Sequence, residues 1–93
     1  MALGFTWDPA KSAANLRKHG VSFEDASTAF GDPYSITVPD PLHSATENRF
    51  ALIGATKRGP IVIVSHTERN DTIRIISARK ATRHERATYD DDQ

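Results

Sequence analysis

Apolar and polar positions along this chain change from a helical to an alternating period near residue 34. Before that point the apolar residues recur at spacings of three and four. Phe5-Thr6-Trp7 reads as a short strand that stops at Asp8-Pro9. That dipeptide opens a helix, because the Asp side chain accepts from an early backbone N–H and Pro at the first helical position sacrifices no bond. Ala10, Ala13, Ala14 and Arg17 keep helical spacing, and Gly20 is the natural stop, since Gly reaches the left-handed conformation without strain. Lys18 and His19 fall in the last turn, where cations suit the helix dipole. Ser22 then caps a second helix with Glu24 and Asp25 in its first turn. Phe23, Ala26, Ala29 and Phe30 form its apolar stripe, and Gly31-Asp32-Pro33 ends it.

Beyond residue 34 the alternation is strand-like. Residues 34–38 predict a short strand, followed by a polar loop from Pro39 to about Asn48. Residues 49–56 and 60–67 predict two strands joined by Lys57-Arg58-Gly59, and residues 72–79 a third after the turn Glu68-Arg69-Asn70-Asp71. Thr82-Arg83-His84-Glu85 is a capping box, so a last helix runs to about Tyr89. The order β-α-α-β-β-β-β-α predicts an α+β fold: an antiparallel meander packed with two N-terminal helices and a C-terminal helix. No repeat or linker interrupts it, so residues 1–93 are expected to form a single domain with a frayed acidic tail at 90–93.

Composition narrows the chemistry. The 93 residues contain no Cys, which excludes a disulfide framework, a zinc ribbon and a thiol nucleophile. The longest β-like apolar run is Ile61-Val62-Ile63-Val64, far short of the roughly 20 residues of a membrane span. Met1-Ala2-Leu3-Gly4 lacks the basic and apolar regions of a signal peptide, so a soluble cytoplasmic protein is expected. Twelve basic and twelve acidic side chains give a net charge of zero. Residues 1–40 hold 3 basic and 5 acidic groups, whereas residues 41–89 hold 9 and 4. Asp90-Asp91-Asp92 restores neutrality. The second half is therefore basic, an asymmetry that suits an anionic partner.

Sorting residues 72–79 by strict alternation puts Ile73, Ile75, Ser77 and Arg79 on one face and Arg74, Ile76 and Ala78 on the other. Arg79 then sits at the strand end, free to reach solvent over a groove. His66 also comes at a strand end, near Glu68 and Arg69. The set Arg69, Arg74, Arg79, Lys80, Arg83 and Arg86 fits phosphate, which matches the planar fork of arginine. The four histidines show no i, i+4 pair, so no metal site is expected. These parts suffice for metal-free RNA cleavage, in which the 2′-OH attacks its own phosphate and the protein supplies a base, an acid and cations. A binding module using the same basic face without catalysis is the alternative.

Trp7-Asp8-Pro9-Ala10-Lys11, then residues 15–26 with Lys18-His19-Gly20-Val21-Ser22-Phe23, then Arg49, Gly54, Ile73-Arg74-Ile75-Ile76-Ser77-Ala78-Arg79-Lys80-Ala81-Thr82, Glu85 and Tyr89 stand out as blocks. Together they resemble the BrnT toxins. The resemblance implies a RelE-like ribonuclease fold and the toxin of a type II toxin–antitoxin pair that cleaves RNA and inhibits translation, with no cofactor. Its implied partner is a BrnA-like ribbon-helix-helix antitoxin, with operator DNA reached only through the complex. Carried onto this chain, the resemblance makes Arg74 or Arg79 the phosphate clamp, His66 a candidate general base or acid and Glu85 an alternative base. Lys18, His19, Lys80, Arg83 and Tyr89 would hold substrate.

Overall fold

The computed structural model describes residues 4–40 and 48–91. Its elements are β1 (Gly4–Thr6), α1 (Pro9–His19), α2 (Phe23–Thr28) with a following 3-10 turn (Ala29–Gly31), β2 (Ile36–Pro39), β3 (Arg49–Ala55), β4 (Ile61–Arg69), β5 (Thr72–Lys80) and α3 (Arg83–Asp91). The fold is α+β, as the periodicity requires. Asp8 caps α1 by accepting from Ala10 N–H at 2.9 Å, and Gly20 ends it in the left-handed region at φ 73°. Ser22 caps α2 through Asp25 N–H.

Five strands form one sheet in the order β1-β5-β4-β3-β2. Strands β2 to β5 make the expected antiparallel meander, whereas β1 pairs with β5 in parallel, with Phe5 beside Ile73. The sheet is thus mixed. A parallel neighbour needs a long crossover, here the two helices and three further strands, so no local pattern announces it. The first meander strand begins at Ile36 rather than 34, because Asp32 accepts from Tyr34 N–H and ties that segment into a turn. The predicted loop at 39–48 falls largely on residues 41–47, outside the described residues. Helix α3 continues through Asp90 to Asp91, so two of the residues expected to fray are helical; Asp92 and Gln93 lie outside the described residues.

One face of the sheet carries the core. Phe23, Ala26 and Ala29 from α2 and its 3-10 turn pack on Leu52, Val62, Val64, Ile73, Ile75 and Ala78. Phe23 and Ile75 are among the largest fully buried side chains, each contributing about 1.5–3 kcal/mol on burial. Gly54 permits close approach here: a Cβ at this position would lie 2.9 Å from the Ala29 carbonyl oxygen.

The outer edge of β5 beyond β1 is closed by one side chain. Asn15 of α1 accepts from Ala78 N–H at 3.2 Å and donates to the Ala78 carbonyl at 2.7 Å. It also donates to the Val21 carbonyl at 2.8 Å. The amide thereby takes the place of a neighbouring strand and satisfies backbone groups that burial would otherwise leave costly.

Candidate functional site

Strict alternation fails on β5, and the failure builds the site. Ser77 pairs with Ser65, but Ile75 pairs with His66, so Ile76 is an extra residue opposite the Ser65–His66 step. This β-bulge exchanges the faces on either side of it. Ala78 therefore joins Ile73 and Ile75 on the core face. By register Arg79 (opposite Ile63), Ser77 (opposite Ser65) and Arg74 (opposite Thr67) all stand on the other, open face. The two arginines that alternation separates are brought to one side.

On that face lies a groove of about 410 Å³. Its floor is a row of small side chains in register, Ala51, Ser65 and Ser77, next to Ile63. Val38, Pro39 and Asp40 line one side, and His19, Arg79 and Glu85 line the other. His19 arrives from the last turn of α1 and Glu85 from the first turn of α3, while Arg79 comes from the end of β5.

Arg79 and Glu85 form a two-point ion pair. Nη1 donates to Oε1 at 2.7 Å and Nη2 donates to Oε2 at 2.9 Å. Glu85 also closes the capping box, since its Oε1 accepts from Thr82 N–H at 2.8 Å while Thr82 Oγ1 accepts from Glu85 N–H at 3.2 Å. The guanidinium hydrogen bonds hold the Glu85 carboxyl down at about 2, against a partial opposing effect of burial. Arg79 is pushed above its ordinary value by the same partner. A carboxylate so stabilised has little proton affinity at neutral pH, so Glu85 is suited to orienting Arg79 rather than to proton abstraction. The second Nη1 hydrogen points toward the Lys80 carbonyl at 3.4 Å. Among the described residues the side fork of Nε–H and Nη2–H has no partner, and such a fork has the geometry that phosphate accepts.

Other expected site residues stand elsewhere. His66 lies on the core face and is fully buried, stacked on Phe50 and met edge-on by Phe30. Its Nδ1 contacts the Val64 carbonyl at 3.1 Å and its Nε2 contacts Glu68 at 3.0 Å. It does not reach the groove, and its ring has no open path to a substrate proton. The strand continues to Arg69, three residues past His66, which is why the position is interior rather than terminal. Lys80 points the other way from Arg79, as neighbours on a strand do, and lines a second pocket of about 260 Å³ with Gly20, Thr56 and Arg58. Arg74 is on the open face one row beyond the groove, while Lys18 and Arg83 are exposed on α1 and α3.

Tyr89 is buried and donates to Asp32 Oδ2 at 2.5 Å. That bond, with burial and the charge of Asp32, pushes its hydroxyl up to about 12. Burial raises the Asp32 carboxyl, but the donors Ala55 N–H, Tyr89 O–H and Tyr34 N–H together outweigh it and leave the group below its ordinary value. Asp32 marks a helix end in the sequence, Asn15 sits inconspicuously in α1, and the serines lack any nucleophile pattern. None carries a local signal of its role, since each acts on a partner at least 12 residues away.

Comparison with known proteins agrees with this architecture. Residues 7–85 match the family model described as ribonuclease toxin, BrnT, of type II toxin–antitoxin system. The crystal structure of the Brucella abortus ribonuclease toxin, BrnT, superimposes with a TM-score of 0.68 at 24% identity, covering 88% of this chain and 100% of that one, and so shares the fold. No curated protein matches. A type II toxin family implies an antitoxin partner, and among the described residues no helix is long and apolar enough to cross a membrane. With the family match spanning all but the ends of the chain, this protein belongs to the BrnT ribonuclease toxins of type II toxin–antitoxin systems.

Proposed function

We propose that this protein cleaves RNA without a metal, by attack of a 2′-OH on the adjacent phosphorus, and that the open-face groove is where it does so. The observation that carries this reading is the Arg79–Glu85 pair standing beside His19 in one groove. Arg79 presents its side fork to the scissile phosphate and neutralises the charge that grows on the pentacoordinate phosphorane. Glu85 holds that fork in place. His19 is the proton-transfer group, since imidazole gives and takes protons near neutrality. A proton leaves the 2′-OH, the P–O5′ bond breaks, and the 5′-oxygen is protonated, giving a 2′,3′-cyclic phosphate and a 5′-OH. Metal independence is supported by the commitment of Glu85 to Arg79.

Cleavage of RNA in the cytoplasm would stop translation, and the antitoxin that the family implies is, in this reading, a BrnA-like ribbon-helix-helix protein. It would neutralise by covering the groove and reach operator DNA as part of the complex. The test is incubation of purified protein with RNA and with the same sequence as DNA, both in EDTA. The expected result is cyclic-phosphate ends on RNA and intact DNA. Salt-dependent binding with no strand breaks would instead establish a binding module.

A further inference from the structure

Glu85 and Tyr89 are four residues apart in α3, so they project from one side of the helix on successive turns. Each holds the helix to a different part of the sheet. Glu85 is joined to Arg79 at the end of β5, and Tyr89 is joined to Asp32. Asp32 is itself fixed from two directions. Its Oδ1 accepts from Tyr34 N–H at 2.9 Å, and its Oδ2 accepts from Ala55 N–H at 2.8 Å, at the end of β3. The carboxylate therefore belongs to the rigid frame of the sheet, and the buried Tyr89 ring hangs α3 from it.

Beyond the first turn of α3, a buried side chain among its described residues is Tyr89, and the rest of its surface is mostly polar and exposed. The bonds of Glu85 and Tyr89, one turn apart, both bear on the rotation and height of α3 over the sheet. Moving either of them displaces the other. A carboxylate that meets a guanidinium at two atoms tolerates little rotation, because both bonds are directional.

We propose that Asp32 and Tyr89 are positioning residues for the phosphate clamp, acting through α3 on Glu85 and so on the orientation of Arg79. This assignment rests on the reading of Arg79 as the clamp. Neither side chain touches substrate: Tyr89 is buried against Asp32 and does not line the groove. Its part is to keep Glu85 where both carboxylate oxygens meet the guanidinium, leaving the side fork of Arg79 aimed at the phosphate.

The proposal is separable from a purely structural role. A Tyr89 that only stabilised the fold would lower melting temperature alike in any background and leave turnover intact. A Tyr89 that works through Glu85 has no effect on turnover once Glu85 no longer grips Arg79 at two points. The experiment is a cycle of Tyr89→Phe, Glu85→Gln and the double variant, measuring kcat and KM for RNA cleavage together with the melting temperature of each. Tyr89→Phe is expected to lower kcat about tenfold with KM within about twofold, a modest share of what misplacement of a catalytic group can cost. In the Glu85→Gln background the same change is expected to leave kcat unaltered while still lowering the melting temperature. Unchanged kcat in the single variant, or an equal loss of kcat in both backgrounds, would overturn the proposal while cleavage by the unsubstituted protein still stood. No cleavage by the unsubstituted protein would overturn the nuclease reading and this assignment with it.

Discussion

Arg79 and Glu85, six residues apart in the chain, meet at two points, with Nη1 to Oε1 at 2.7 Å and Nη2 to Oε2 at 2.9 Å. The pair joins the last turn-out of β5 to the first turn of α3 and sits half exposed at the side of the groove. Its pH behaviour follows in sign from Glu85, whose carboxyl falls from 4.5 to about 2 on folding. A depressed acid contributes stability that is complete above the unfolded value and is lost as pH falls through the folded one. Glu85→Gln should cost about 1 kcal/mol or less at neutral pH, as exposed pairs do. The gap in melting temperature between the two proteins should close as pH falls from about 4.5 toward 2. Thermal melts across that range check this; a gap independent of pH would contradict it.

Tyr89 gives the opposite sign. Its hydroxyl rises from 10.0 to about 12 through Asp32, burial and neighbouring charge, so its contribution is complete below pH 10 and is lost as pH rises through the folded value. Tyr89→Phe removes a hydrogen bond to a carboxylate, worth about 1.5–3 kcal/mol. Its melting temperature should lie below that of the unsubstituted protein at neutral pH. The difference should shrink between pH 10 and about 12.

Asn15→Ala should be among the most damaging polar substitutions. It deletes three hydrogen bonds and leaves the Ala78 N–H, the Ala78 carbonyl and the Val21 carbonyl without their partner. Unpaired buried groups of this kind cost about 1–3 kcal/mol each where water cannot replace the partner. A loss of about 2–4 kcal/mol in urea unfolding is expected. Asn15→Asp should do no better, because a carboxylate cannot donate to two carbonyls.

Gly54→Ala tests packing rather than bonding. The added methyl would meet the Ala29 carbonyl oxygen at 2.9 Å, Leu52 Cδ2 at 3.1 Å and Ser35 Cβ at 3.2 Å. Backbone cannot retreat as a flexible side chain can, so the 3-10 turn must lift from β3. Destabilisation of about 1–3 kcal/mol is expected in the same denaturation experiment, as for other overpacked cores.

Much of this fold is legible in the sequence because local signals dominate its first half. Asp8, Gly20, Ser22 and the Thr82–Glu85 capping box each announce a boundary with a mechanism, and each lies where it should. The site was less legible for two reasons. The bulge at Ile76 breaks the period of two, so alternation places Arg79 with Ile73 and Ile75 when the fold sets it beside Ser77 on the other face. His66 looks like a strand-end residue until Phe30 and Phe50 close over it from elements 36 and 16 positions away. The pairing of α3 with Asp32 is equally non-local, since Tyr89 meets a carboxylate 57 positions away.

Arg79 as the phosphate clamp of an RNA-cleaving groove is tested by the cleavage rate of Arg79→Ala in EDTA beside that of the unsubstituted protein, each verified as folded by its thermal melt. Loss of a donor that stabilises transition-state charge costs about 10²–10³ in rate, so a fall of that size with the fold retained is the result predicted. A folded Arg79→Ala protein that cuts RNA at the unsubstituted rate would show that Arg79 is not the clamp.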